Sequence, residues 1–259
     1  MANKHISVER KGPVTVVTLS RPEVMNALNT DAHYELHEMF DAFAADPDQW
    51  VAIVTGAGER AFCAGHDLKT QAAGTHRGTP PSGFGGITSR FDLIKPVIAA
   101  VNGVAMGGGF EIALACDLII AAETAVFALP EPRVGLAALA GGVHRLPRQI
   151  GLKRAMGMTL TARRVSAREG YELGFVNEVV ASGELMAAAQ RWADMICQNS
   201  PMSIRASKEA VHLGLRVPLE QAIGEQSQYP AVRALQASQD HIEGPRAFAE
   251  KRPPRWSGR

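Results

Sequence analysis

The sequence predicts an α/β core followed by a helical C-terminal region. Three observations carry that reading. Short β-branched, apolar runs alternate with stretches at helical spacing in the first part of the chain. Two glycine-containing turns each follow such a run and lead toward a helix. After Ser182 the pattern is helical. With 259 residues, the chain is long enough for a core spanning about 1–199 and a smaller helical region over 200–259.

Val14–Leu19 is the first strand expected, a short apolar run with five β-branched residues. Thr30 suits the cap of a helix reaching Ala45, on which Leu36, Met39, Phe40 and Phe43 share a face. Val51–Thr55 and Val97–Val101 read as buried strands. Gly107–Cys116 reads as a short helix and Leu118–Ala121 as the next strand. Thr70–Arg90 is rich in Gly, Pro, Thr and Ser and reads as one long loop of the kind that often carries function. Ser166 and Glu169 have capping-box spacing, with Gly174 as the stop before a strand over Phe175–Val180. Helices are then expected over Gly183–Asn199, Met202–Leu213 (stopped by Gly214) and Pro218–Ser238, with Pro218 at a first helical position. No internal sequence repeat is convincing.

Composition removes several function classes. A net charge of +1, with few aromatics and none interleaved with basic residues, gives no basis for a nucleic-acid partner. The longest apolar stretches, near Val97–Val101 and Phe110–Ala122, are interrupted by Gly or Asp. The first six residues lack a signal-peptide pattern, so no membrane partner and a cytoplasmic location are expected. Three widely spaced cysteines, Cys63, Cys116 and Cys197, fit buried reduced thiols better than a disulfide set or zinc site. His33 and His37 lie four apart, but no third ligand accompanies them, and a solvated helix face is the expectation.

The chemistry concentrates in two turns and two acids. Phe62-Cys63-Ala64-Gly65-His66-Asp67-Leu68-Lys69 and Asn102-Gly103-Val104-Ala105-Met106-Gly107-Gly108-Gly109-Phe110-Glu111 each follow a strand and lead toward a helix. Such turns can aim backbone N–H groups at a ligand. Neither is a P-loop, a dinucleotide fingerprint or a nucleophile elbow. Either alone is equally a tight turn and nothing more. Glu111 follows the second turn at the start of an apolar helix, where a carboxylate needs partners to be buried. Glu131 lies between Pro130 and Pro132, which restrict its backbone. Taken singly it reads as an exposed turn acid. Two positioned carboxylates together could hold a water and deliver a proton.

The strings TLSRPEVMNALN, FCAGHDLK, KPVIAAVNGVAMGGGFEIALACD, FALPEPRVGL and AFAEKRPPRWSGR, in order across nearly the whole chain, resemble the crotonase superfamily of enoyl-CoA hydratases and isomerases. The closing string and AGHDLK are also similar to the carnitinyl-CoA dehydratase branch. The resemblance implies a spiral ββα core, a helical C-terminal region that makes homotrimers or hexamers, and an acyl-CoA thioester substrate. It implies no metal and no cofactor beyond the coenzyme A of that substrate. Glu111 and Glu131 would be the catalytic pair, and the N–H groups of His66 and Gly108 the oxyanion hole. Ala64 would meet the adenine end and Lys69 the phosphates. Met25, Ala27, Asp67, Leu68, Val104, Gly107, Pro130 and Leu139 would line the thioester channel.

Having both glutamates favours reversible hydration of an α,β-unsaturated thioester. Carnitinyl-CoA dehydration, isomerisation, hydrolysis or decarboxylation on the same framework stand as alternatives, as does a non-catalytic protein that binds coenzyme A esters. Three positions depart from the family pattern: Glu23 where a lysine is common, Ala138 where a proline is usual, and His66 where a small residue is usual. Over Gly244–Arg259, Arg246, Lys251, Arg252, Arg255 and Arg259 read either as a solvated tail or as help for coenzyme A phosphates.

Overall fold

The computed structural model describes residues 4–68, 73, 74 and 77–259. Strands β1 (Ile6–Lys11), β2 (Val14–Leu19), β3 (Val51–Gly56), β5 (Val97–Val101), β7 (Leu118–Ala122) and β10 (Glu178–Val180) lie side by side in that order. β1 is antiparallel to β2 and the other pairs are parallel. A second sheet holds β4 (Ala61–Cys63), β6 (Val104–Met106), β8 (Val126–Ala128) and β9 (Val165–Ser166), with β9 antiparallel to β8.

The pairs β3–β4, β5–β6 and β7–β8 share one plan: the first strand joins the large sheet and the second joins the small one. This is a repeat of backbone path. The sequence hides it because short buried strands ask only for apolar, β-branched residues. Successive pairs are tied at their corners by Asn102. Its Oδ1 accepts from Gly56 N at 3.1 Å, and its Nδ2 donates to Gly58 O at 2.7 Å and Ala61 O at 3.1 Å.

Both faces of the large sheet are covered over β2, β3, β5 and β7, which is why these strands read as apolar, β-branched runs. Ala52, Val54, Ala99, Val101 and Ile119 face the core beneath the small sheet, while Val51, Ile53, Ile98 and Ile120 face helix α6 (Leu185–Cys197). Helix α1 (Thr30–Ala45) buries Leu36, Met39, Phe40 and Phe43 as expected. Its cap is Asn29 rather than Thr30: the Asn29 Oδ1 accepts from Ala32 N at 2.9 Å. Helix α2 (Gly108–Ala115) is anchored by Phe110, whose ring lies 5.2 Å from Phe127 and 5.1 Å from Phe175.

Helices α3 (Gly142–Ile150), α4 (Leu152–Thr161) and α5 (Ala167–Leu173) follow the small sheet. Ser166 Oγ accepts from Glu169 N at 3.2 Å, but the Glu169 carboxylate pairs with Arg163 at 2.7 Å. Half of the expected capping box is therefore made. The strand expected from Phe175 starts only at Glu178, because Phe175 and Val176 turn into the core.

α7 (Pro201–Gly214) ends one residue later than expected, and its cap, Leu215, keeps right-handed angles, so Gly214 is not the stop. The single helix expected over Pro218–Ser238 is broken. α8 (Leu219–Glu225), a 3-10 turn and α9 (Pro230–Gln236) replace it, with Pro218 just before α8. Pro230 has no N–H to continue the helical ladder, so the chain restarts there. α10 (Gln239–Ala249) was not anticipated.

The basic C-terminus is stitched down internally. Arg252 forks onto Glu243 at 2.6 and 2.9 Å and also reaches Glu250 at 2.6 Å. Buried Asp240 accepts from Ser257 N at 2.8 Å, Gly258 N at 3.2 Å and Ser200 Oγ at 2.8 Å. Ser200 also caps α7, so Asp240 joins three segments. Asp240→Ala leaves these donors unpaired and is expected to cost about 3 kcal/mol, read as a lower midpoint in chemical denaturation.

Candidate active site

The run Gly107-Gly108-Gly109 joins β6 to α2. Gly107 has φ +53°, and a Cβ there would lie 2.9 Å from Glu131 Oε1. Only glycine permits both the turn and that approach. Gly108 opens α2, so its N–H has no partner within the helix. The other turn meets it: Gly65 has φ +97°, and a side chain there would come 3.2 Å from Gly108 N. His66 forms a parallel bridge with Leu28 in which Gly65 O and Asp67 N make the hydrogen bonds, at 2.8 and 2.9 Å. His66's own N–H therefore faces away from Leu28. The two backbone segments expected to form the oxyanion hole are brought together.

Glu111 is buried, 3% exposed. Its Oε1 accepts from Gly142 N at 2.8 Å. Burial pushes its carboxyl up to about 7, helped by the nearby charge of Glu131; the N–H groups of Gly142 and Ala140 and the charge of Arg145 oppose the rise. Glu131 is half-buried rather than an exposed turn acid. Burial raises its carboxyl as well, and its Oε2 is buried without a hydrogen-bond partner among the described residues. Two carboxyls on separate elements thus have raised proton affinity, Glu131 against Gly107 at the start of α2 and Glu111 within its first turn. Such a constellation marks acid–base sites.

The segment ahead of α1 docks against the first turn. Met25 and Asn26 adopt positive φ, the Met25 carbonyl accepts from Ala64 N at 2.9 Å, and Asn26 Nδ2 donates to Ala61 O at 2.8 Å. Arg21 hydrogen-bonds the carbonyl of buried Ala27 and pairs with Asp67 at 3.1 Å. Asp67 thus serves to hold the loop. Leu68 and Leu139 are exposed, while Val104 and Pro130 are half-buried next to the glycine run and Glu131. Lys69 lies outside the described residues.

Three residues not assigned to the site from the sequence belong here. The Phe84 ring packs on Gly108 so closely that a side chain at 108 would overlap it. Phe84 comes from a 3-10 turn in the long loop whose composition had marked it as a functional candidate. His33 is fully buried, contrary to the solvated helix face expected. Its Nδ1 accepts from Gly85 N at 3.0 Å, and its ring lies 4.4 Å from Phe84 and 6.3 Å from His66. Helical spacing alone cannot say which histidine turns inward. Arg145 is half-buried, and no local signal linked it to Glu111. Among the described residues no three His, Cys, Asp or Glu side chains gather as a metal set. No helix in the described residues is long and apolar enough to cross a membrane.

Residues 9–259 match the enoyl-CoA hydratase/isomerase family. The chain is 44% identical to the carnitinyl-CoA dehydratases of Salmonella typhi and Salmonella typhimurium, over 99% of this chain and all of each relative. It superposes on the crystal structure of an enoyl-CoA hydratase from Mycobacterium tuberculosis with a TM-score of 0.93 at 37% identity, covering 98% of this chain and 99% of that one. An enoyl-CoA hydratase from Bacillus anthracis gives 0.89 at 36% identity, covering 99% of this chain and all of the other.

Proposed function

The chain belongs to the enoyl-CoA hydratase/isomerase family of enzymes acting on acyl-CoA thioesters, and from that premise we propose that it adds water reversibly across, or eliminates it to form, an α,β-double bond through Glu111 and Glu131. The supporting observation is the pair of raised carboxyls beside two apposed backbone turns. The thioester oxygen accepts hydrogen bonds from His66 N–H and Gly108 N–H, which polarises the double bond. Each such donor is typically worth about 2.7–4 kcal/mol of barrier.

In the hydration direction Glu111 and Glu131 orient a water onto Cβ, Glu111 takes the proton that this water loses, and Glu131 supplies the Cα proton. In reverse, Glu131 removes the Cα proton while Glu111 protonates the departing Cβ hydroxyl, which leaves as water. The charge of Glu131 opposes ionisation of Glu111, so the two carboxyls titrate as a coupled pair. Water and thioester balance the reaction, so no metal or redox group enters it. The assembly is proposed to be a homotrimer or hexamer in the cytoplasm.

Carnitinyl-CoA dehydration is the second reading. It is supported by the full-length likeness to proteins of that name. Purified protein given crotonyl-CoA and, separately, carnitinyl-CoA decides between them through the conjugated-thioester absorbance. Rapid loss with crotonyl-CoA and no change with carnitinyl-CoA supports the simple hydratase. A rise with carnitinyl-CoA at least ~10-fold more efficient than crotonyl-CoA turnover supports the dehydratase. That ratio corresponds to about 1.4 kcal/mol of discrimination. No change with either removes both readings.

A further inference from the structure

We propose that Arg145 is a positioning residue for Glu111, acting from the same turn of α3 whose Gly142 N–H binds that carboxylate. The proposal rests on the reading of Glu111 as a proton-handling group. Arg145 lies in the opening turns of α3, the helix whose Gly142 N–H holds Glu111 Oε1 at 2.8 Å. Its Nη2 donates to Thr88 O at 2.8 Å, and its guanidinium carbon lies 5.8 Å from the Phe91 ring centre. The side chain folds back over Gly141, occupying the space where a side chain at 141 would stand. One turn of α3 thus donates a hydrogen bond to the Glu111 carboxylate and carries a cation over the neighbouring Gly141, and Thr88 and Phe91 fix the cation from outside.

The described groups whose charges act on Glu111 are Glu131 and Arg145, and they act in opposite directions. Arg145 in turn faces Glu111 and the buried Cys116 thiol, with Arg216 on Phe91 at 5.6 Å. The thiol is held neutral by burial, so Glu111 is the anion that Arg145 serves. A planar guanidinium spreads its donors over a fixed fork, so one nitrogen can hold Thr88 O while the group lies over Phe91; an ammonium offers one compact centre for both contacts.

The test is the titration of Glu111 itself, followed by NMR in protein carrying 13C at the glutamate carboxyls, with Glu111→Gln identifying the signal. The pH profile of kcat/KM is measured alongside. Arg145→Gln is expected to raise the Glu111 midpoint by about one pH unit, the scale set by losing one nearby opposite charge. The acidic limb of the rate profile follows it. Arg145→Lys keeps the charge and is expected to restore most of the midpoint while kcat stays ~5-fold low, since its reach differs. Phe91→Ala removes the platform and shifts the midpoint in the same direction by less.

A folded Arg145→Gln protein with a wild-type Glu111 midpoint overturns the proposal. Should that variant not fold, an unmoved midpoint in Phe91→Ala overturns it. Full activity in Glu111→Gln sinks the underlying catalytic reading instead, and the NMR titration still reports on Arg145.

Discussion

Glu111→Gln and Glu131→Gln are each expected to lower kcat for thioester hydration or dehydration by about 10²–10⁴, the usual contribution of a positioned acid or base. The two residues act on one proton and one water, so the double variant should lose little more than the worse single one. KM should change far less than kcat, because the glutamine amide keeps the shape of the side chain. Additive losses, with the double variant falling by the product of the single effects, would show that the two carboxyls do not act as a unit.

The same substitution has a second consequence of opposite sign. Glu111 is pushed up to about 7 in the folded chain, above its unfolded value of about 4.3. Between those values the unfolded state ionises first, so the wild type loses stability as pH rises through that window, by an amount on the order of 1–3 kcal/mol. Glu111→Gln lacks this loss and should be the more stable protein at pH 8, while the two converge at pH 4. Melting curves at both pH values measure it. An inactive but stabilised Glu111→Gln variant would show that the site holds its acid at a cost to the fold.

Gly109→Ala is expected to be the most damaging single-methyl change at the site. A Cβ at Gly109 would overlap the Cys63 carbonyl oxygen and stand 2.7 Å from its carbon, both backbone atoms of β4. No rotamer relieves a clash with backbone, so α2 and β4 must part. That should cost at least about 3 kcal/mol, at the upper end for overpacking. The parting also separates Gly108 from the His66 turn, and a displacement near 1 Å typically costs roughly 100-fold in rate. Gly157→Ala is the control: a side chain there meets nothing within 4 Å, in the middle of α4. It should be neutral or slightly stabilising, by under about 1 kcal/mol. If both variants melt together, the packing of α2 on β4 is looser than these contacts imply.

The buried strands were legible because a sheet covered on both faces requires continuous apolar runs, and Val51–Thr55 and Val97–Val101 have no other reading at that length. The amphipathic α1 was legible for the same reason at helical period. Edge strand β1 was missed because five of its six residues are exposed and carry no apolar signal. The helices after Pro218 were joined in error because the sequence period continues through Pro230 while the backbone cannot. Glu111 stood out as a charge in an apolar helix. Glu131 did not stand out alone, since flanking prolines fit an exposed turn equally well.

The sequence by itself determined the α/β class, the helical C-terminal region, the glycine turns and the two glutamates, because hydrophobic period, turn chemistry and a misplaced charge are local properties. Tertiary structure decided what those groups meet. It set Gly142 N–H and Arg145 against Glu111, brought Gly65 to Gly108, and turned His33 inward while Asp67 was committed to Arg21. Proton affinity and the direction of a backbone N–H depend on neighbours from distant segments and on removal from water, and neither is written in the order of residues along the chain.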